Sequence, residues 1–319
     1  MPVARPLRVV FLGTPAFAVP SLEGVVASGA ELVAVVCQPD RPKGRGLELQ
    51  PPPTKLWAEA RGIPVHQPEK VRNGRLRELL APYRPDLLVV TAYGRILPKE
   101  VLELPPLGAL NGHASLLPKY RGAAPIQWAV AHGETVTGVT VMQMDEGLDT
   151  GDVRLMRELD IGPDETAAGL HDRLSVLAGD ALREAIELLS RDALPRTPQD
   201  PARATLAPLL SKEDAELDWA RPARELACRV RGFTPWPGTV LRLAGKPLKV
   251  HVARAVEGRG EPGVVVEVGD VLRIGTGDGL LELVEVQPEG KRRMGVRDFL
   301  AGHRLAVGDR FDAPQVKRD

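Results

Sequence analysis

The stretch NGHASLLPKYRGAAPIQWA (111–129) holds the densest set of reactive side chains in the sequence. Asn111 and His113 are two residues apart, so in an extended strand both side chains leave the same face. Asn111 is one of only two asparagines, the other being Asn73. Gly112 between them permits close backbone approach, and a rigid Leu-Leu-Pro turn follows. A lone histidine is usually structural; this neighbourhood argues for chemistry. A second group, VMQMDEGLDTGDVR (141–154), offers Asp145, Asp149 and Asp152 as carboxylate partners, and the spacing does not choose among them. One imidazole, one amide and one carboxylate suit non-covalent acyl transfer. Asn111 and a protonated His113 would donate to an oxyanion, while the aspartate holds the imidazole's orientation and charge. No Ser or Cys sits in a recognisable nucleophile elbow, and Cys37 has no matched base, which argues against a covalent route.

Two other groups could meet an anionic partner. The loop QPDRPKGRGLELQPPPT (38–54) presents Arg41, Lys43 and Arg45 among prolines and glycines. It reads as a preshaped basic finger for phosphates, with a solvated surface excursion as the plainer alternative. Lys291, Arg292, Arg293 and Arg297 form a similar patch, with a solvated strand edge as its alternative. These patches matter because 42 Lys+Arg balance 42 Asp+Glu, so no broad electrostatic grip exists. The first loop, GTPAFAVPS (13–21), lacks the glycines of a dinucleotide fingerprint, which argues against a nicotinamide cofactor. Two cysteines and no Cys/His cluster give neither a disulfide framework nor a metal site.

The elements that must position these groups alternate strand and helix. RVVFLG (8–13), ELVAVVC (31–37), IPVHQ (63–67) and DLLVVTAY (86–93) are short apolar runs, with helices expected near 18–28, 54–61 and 71–81. Further strands are expected within GALNGHAS (108–115), TGVTVMQM (137–144) and DVRLMREL (152–159). Buried strands separated by helices predict an α/β, Rossmann-like, mostly parallel sheet. A long helix follows, with Leu170, Leu174, Leu177, Ala181, Ala185 and Leu189 on one face and Asp164 as candidate cap. The proline-rich 190–208 reads as a linker. Beyond a helix at 221–231, glycine-punctuated runs between 239 and 288 predict a smaller all-β, barrel-like domain. The expected organisation is 1–189, a 190–208 linker, 209–312, and a 313–319 tail. The N-terminus reads as a first strand and not a signal peptide, and no apolar run approaches a membrane span, so a cytoplasmic location is the default.

Taken together, FLGTPAFAVPSLEGV (11–25), QPDRPKGRG (38–46), AYGRILP (92–98), NGHASLLPKYRGAAPIQWAV (111–130), TGVTVMQMDEGLDTGDV (137–153) and RGFTPWPGT (231–239) resemble the folate-dependent formyltransferases, over essentially the whole chain. Within that family the GAAPIQ extension, the basic loop and the C-terminal module resemble the branch acting on charged initiator tRNA. The resemblance implies a catalytic trio of Asn111, His113 and Asp149, with Asp145 as runner-up and Asp152 as loop support. It implies that 10-formyltetrahydrofolate binds along Tyr93, Gly94, Arg95, Ile96 and Leu97 and at the turn Ser115, Leu116, Leu117 and Pro118. It also implies methionyl initiator tRNA as acceptor, an oligonucleotide-binding (OB) type barrel, no metal, a monomer, and the bacterial cytoplasm. The alternatives are formyl transfer to a nucleotide-sugar amine, a formyl-folate hydrolase, and a non-enzymatic RNA-binding protein. The basic loop departs from the family, since Leu47, Glu48, Leu49 and Gln50 stand where lysines are common. Arg121 and Gly122 could structure their loop or touch substrate. Trp236, between Pro235 and Pro237, reads as barrel core before base stacking.

Overall fold

The structure, a computed structural model, describes residues 5–43 and 48–313; Arg45, Leu47, the tail from 314 and the side chain of Lys43 lie outside the described residues. The chain divides into two compact units. The first comprises 1–122, 136–160 and 171–206, and the second 123–135, 161–170 and 207–319. The division differs from the expected one, since most of 190–208 belongs to the first unit. Its backbone is paired there: Thr197 N and O both bond Val153, and Arg121 N donates to Thr205 O.

The first unit is built on strands β1 (Arg8–Gly13), β2 (Glu31–Val36), β3 (Arg41–Lys43), β4 (Glu48–Gln50), β5 (Val65–His66), β6 (Leu87–Thr91), β7 (Ala109–His113), β8 (Val136–Gln143) and β9 (Val153–Asp160). Seven of them form one sheet in the order β5-β2-β1-β6-β7-β8-β9, with β3 and β4 paired separately. The strands from β5 to β7 run parallel, and β8 and β9 are antiparallel additions. β6 is buried along its whole length, as a strand covered on both faces must be. Connections are made by helices α1 (Val19–Ala27), α2 (Pro53–Glu59), α3 (Arg75–Leu80) and α4 (Lys99–Leu102), and later α5 (Pro125–Ala131) and α6 (Ala167–Ser190). The apolar stripe of α6 is buried at Leu170, Leu174, Ala181 and Ala185. Near its start Thr166 Oγ1 accepts from Gly169 N at 3.3 Å, the role expected of Asp164.

The second unit contains α5 and continues with α7 (Ala223–Gly232) and strands β10 (Thr239–Leu243), β11 (Lys246–Val256), β12 (Val265–Val268), β13 (Leu272–Gly275), β14 (Leu280–Pro288) and β15 (Met294–Gly295), before α8 (Val296–Gly302). The pairing path is β10-β11-β14-β13-β12, with β15 on β14. Leu241 from one edge and Val265 from the other share a single buried cluster with Leu272, Leu281, Leu283 and Phe311. Both edges reaching one core means that the sheet curls on itself, as in a partly open barrel. Trp219, 5% exposed, fills that core, whereas Trp236 is 52% exposed, which corrects the expectation for Trp236.

Candidate active site

β7 carries the site. It lies between β6 and β8, pairing Asn111 with Val90 and Met142, and His113 with Thr140. The strand geometry sends Asn111 and His113 to one face and Gly112 to the other. A Cβ on Gly112 would meet Leu182 of α6 at 3.2 Å, so α6 packs directly on that side of the strand. His113 is 7% exposed, and its Nε2 lies 2.9 Å from Tyr120 O. A carbonyl only accepts, so Nε2 carries a proton and donates. The other ring nitrogen, Nδ1, faces Asp149 Oδ2 at 3.7 Å, within ion-pair range and beyond a direct hydrogen bond. The half-buried Asn111 amide makes no side-chain hydrogen bond among the described residues. It is a positioned donor left over for a ligand.

The geometry separates the three aspartates. Asp149 Oδ2 accepts from Gly122 N at 2.8 Å, which aims the carboxylate at the imidazole. Asp145 is occupied within its own loop, accepting from Gly147 N at 3.0 Å and Thr150 Oγ1 at 2.7 Å. Asp152 pairs with Arg196. A Cβ on Gly151 would fall 1.7 Å from Gln143 O, so only glycine lets the acidic loop fold back onto β8. Arg121 bonds Gln199 through Nε at 3.1 Å and Nη2 at 2.7 Å, a loop-forming contact. Gln199 in turn donates to Asp149 O at 2.9 Å and Gly151 O at 2.7 Å. Sequence reasoning missed Gln199, which sits in the proline-rich 190–208; its one signal is a lone amide between Pro198 and Asp200.

The stretches expected at the folate pocket follow β6 and β7. Tyr93 O accepts from Gln38 Nε2 at 3.1 Å and Thr14 Oγ1 at 3.3 Å, and burial pushes the Tyr93 hydroxyl up to about 12. Arg95 donates to Gln38 Oε1 at 3.1 Å and to Glu69 O. Gly94 has φ +78°, Leu97 is buried, and Ile96 is 74% exposed, an apolar side chain presented at the sheet's carboxyl edge. In the turn, Ser115 Oγ donates to Lys119 O at 2.7 Å. Thr140 Oγ1 accepts from Leu117 N at 3.1 Å and donates to Ser115 O at 2.7 Å. Leu116 is half-buried, with its Cδ2 2.6 Å from where a Cβ on Gly138 would stand, and Pro118 O accepts from Thr205 N at 3.3 Å. The polar atoms of this turn thus hold its own shape. Burial pushes the Cys37 thiol up to about 11, so it is not a thiolate near neutrality.

Of the basic residues, Arg41 opens β3, exposed and 3.4 Å from Gln38 Oε1. Lys291, Arg292, Arg293 and Arg297 are all exposed. Arg293 pairs with Glu285, and Arg297 pairs with Asp270 at 2.8 Å. Lys291 and Arg292 have no ion pair among the described residues. Among the described residues there is also no group of three or more His, Cys, Asp or Glu able to hold a metal, and no helix long and apolar enough to cross a membrane.

A mostly parallel sheet whose strand β7 sets an Asn-x-His pair against an aspartate loop, followed by a β-rich module, is an arrangement for non-covalent acyl transfer. The formyl transferase family model matches residues 7–186, and the formyl transferase C-terminal domain model matches 209–304. A methionyl-tRNA formyltransferase from Myxococcus xanthus (strain DK1622) is 52% identical over 96% of this chain and 98% of its own length. The chain therefore belongs to the methionyl-tRNA formyltransferase family. Two solved structures share the fold. The N-formyltransferase from Helicobacter canadensis, in complex with folinic acid and dTDP-3-aminofucose, has a TM-score of 0.67 at 16% identity, covering 88% of this chain and 99% of that one. HypX from Aquifex aeolicus, in complex with tetrahydrofolic acid, has a TM-score of 0.56 at 21% identity, covering 92% of this chain. The match covers 47% of HypX, so this chain spans about half of that protein's length.

Proposed function

We propose that the protein transfers the formyl group of 10-formyltetrahydrofolate to the free amino group of methionine on charged initiator tRNA, in the bacterial cytoplasm. The observation that carries the chemistry is the end of β7, where an Asn111 amide without an internal partner stands beside His113 and its facing Asp149. The methionine amine attacks the formyl carbon directly. As that bond forms, the carbonyl electrons move to oxygen, and the Asn111 amide donates to the resulting oxyanion. His113 acts from Nδ1, because Nε2 is held by Tyr120 O. Asp149 sets negative charge opposite that nitrogen and helps move a proton through water from the attacking amine to the leaving N10 nitrogen as the old C–N bond breaks.

In this reading Tyr93–Leu97 and Ser115–Pro118 border the folate, with the exposed Ile96 as its apolar contact. Transfer belongs to residues 1–189 together with the segment up to Leu206 that completes the same unit, and tRNA contacts come from Arg41, Lys43 and Arg45 and from the 209–312 module through Lys291, Arg292, Arg293 and Arg297. Lys291 and Arg292 carry most of the module's share, because the other two are paired with carboxylates. The test incubates the protein with formyl-labelled 10-formyltetrahydrofolate and, separately, methionyl initiator tRNA, methionyl elongator tRNA and an amino-sugar nucleotide. Label entering the initiator in preference to the elongator supports the proposal. Label entering only the sugar nucleotide overturns it.

A further inference from the structure

The proline-rich segment after α6 supplies one side chain that joins the two loops of the site. Gln199 is the only residue between 195 and 203 that is not exposed. Its amide makes four hydrogen bonds: Nε2 donates to Asp149 O at 2.9 Å and Gly151 O at 2.7 Å, and Oε1 accepts from Arg121 Nε at 3.1 Å and Nη2 at 2.7 Å. Two donors and two lone pairs are the whole capacity of a glutamine amide. One partner segment carries Asp149. The other carries Tyr120, whose carbonyl holds His113 Nε2, and Gly122, whose N–H holds Asp149 Oδ2. Asp149 at φ +53° and Tyr120 at φ +61° both occupy the left-handed region, which aspartate tolerates but a bulky tyrosine adopts only where the surroundings hold it. The same segment adds Thr205, whose Oγ1 accepts from Tyr120 N at 2.9 Å and whose carbonyl accepts from Arg121 N.

We propose that Gln199 is a positioning residue for formyl transfer, a clamp that fixes the Asp149 carboxylate against the His113 ring by tying the 149–151 loop to the 120–122 loop. The inference rests on the proposed roles of His113 and Asp149. A clamp of this kind controls the geometry of the reacting groups without touching substrate, and small displacements there cost rate more than binding.

The test measures single-turnover formylation of methionyl initiator tRNA at saturating 10-formyltetrahydrofolate and tRNA, across pH. Gln199→Ala is expected to lower the saturated rate by about tenfold to a hundredfold and to displace the pH–rate profile, with folate affinity within about twofold of wild type. Gln199→Glu keeps the acceptor for Arg121 but loses both donors to the Asp149 loop, and it is expected to lose rate as well. In an Asp149→Asn background, Gln199→Ala is expected to add little further loss, because both changes act through one carboxylate. An unchanged saturated rate and pH profile in Gln199→Ala overturns the clamp, whatever happens to thermal stability, and so does a full additive loss in the Asp149→Asn background. A wild-type protein unable to formylate the tRNA overturns the proposed function, and the clamp with it.

Discussion

Asn111→Ala removes one side-chain amide from the middle of a sheet and leaves the backbone of β7 paired on both sides, with Val90 and Met142 as cross-strand neighbours. The amide makes no side-chain hydrogen bond among the described residues, so its loss orphans no protein group. The residue is half-buried, and the cost to folding should stay within about 1 kcal/mol, the range of substitutions that neither empty a packed core nor strand a buried partner. The cost to the transition state is of another order. Loss of one preorganised oxyanion donor is worth about 3 to 4 kcal/mol, or roughly 150- to 900-fold in rate at room temperature. The assay is single-turnover formylation with both substrates saturating, so that chemistry limits the signal, alongside a denaturant titration of the same variant. A drop of two to three orders in rate with a near-normal unfolding midpoint is the expected pair of results. A near-wild-type rate would refute the assignment of Asn111 as an oxyanion donor. A rate loss matched by collapse of the unfolding midpoint would instead make Asn111 a structural residue.

Gly151→Ala puts a Cβ 1.7 Å from Gln143 O, a backbone atom that cannot rotate away, and should destabilise the first unit by about 2 to 3 kcal/mol in urea unfolding. An unchanged midpoint would show that the acidic loop does not fold back on β8 as described. His66 is held below the ordinary histidine range by burial, with Nε2 2.7 Å from the Tyr83 hydroxyl. The folded state therefore binds fewer protons than the unfolded one, and stability is lost as pH falls from about 6.5. Thermal melts between pH 7.5 and 5.5 should show a shallower decline in His66→Gln. Lys291→Gln and Arg292→Gln should each weaken tRNA binding and reduce the slope of log affinity against log salt by about one, with unfolding midpoints unaltered; slopes equal to wild type would remove these residues from the interface.

The parts of the fold that could be read from the chain were those with one strong period. The apolar runs at 8–13 and 86–93 became the adjacent strands β1 and β6, and the Leu170–Ala185 stripe became the buried face of α6. The i, i+2 relation of Asn111 and His113 was legible for the same reason, because strand geometry fixes which side chains share a face. Helices of four and seven residues, α4 and α5, leave too few turns to show a helical period. The carboxylate was beyond local reading. Asp145, Asp149 and Asp152 differ only in where a loop with a left-handed residue at 149 aims them, and that depends on Gly122 N and Gln199, both remote in sequence. Gln199 was hidden because prolines break both periods, and broken periodicity reads equally as linker or as a segment fixed by tertiary contacts. Trp236 shows the opposite error: a tryptophan at the entrance of a small β-domain suggests core, but Trp236 is half exposed and the buried tryptophan of that core is Trp219.

Direct transfer of the formyl group between two substrates at the end of β7 is the step on which every residue role above depends. A rapid-quench experiment with formyl-labelled 10-formyltetrahydrofolate and methionyl initiator tRNA tests this most directly, following label in donor, protein and tRNA through a single turnover. Direct transfer requires that label leave the donor and enter formylmethionyl-tRNA with one rate constant, and that the protein carry no covalent label at any time. Label held on the protein, or released as formate while the tRNA stays unformylated, would contradict it.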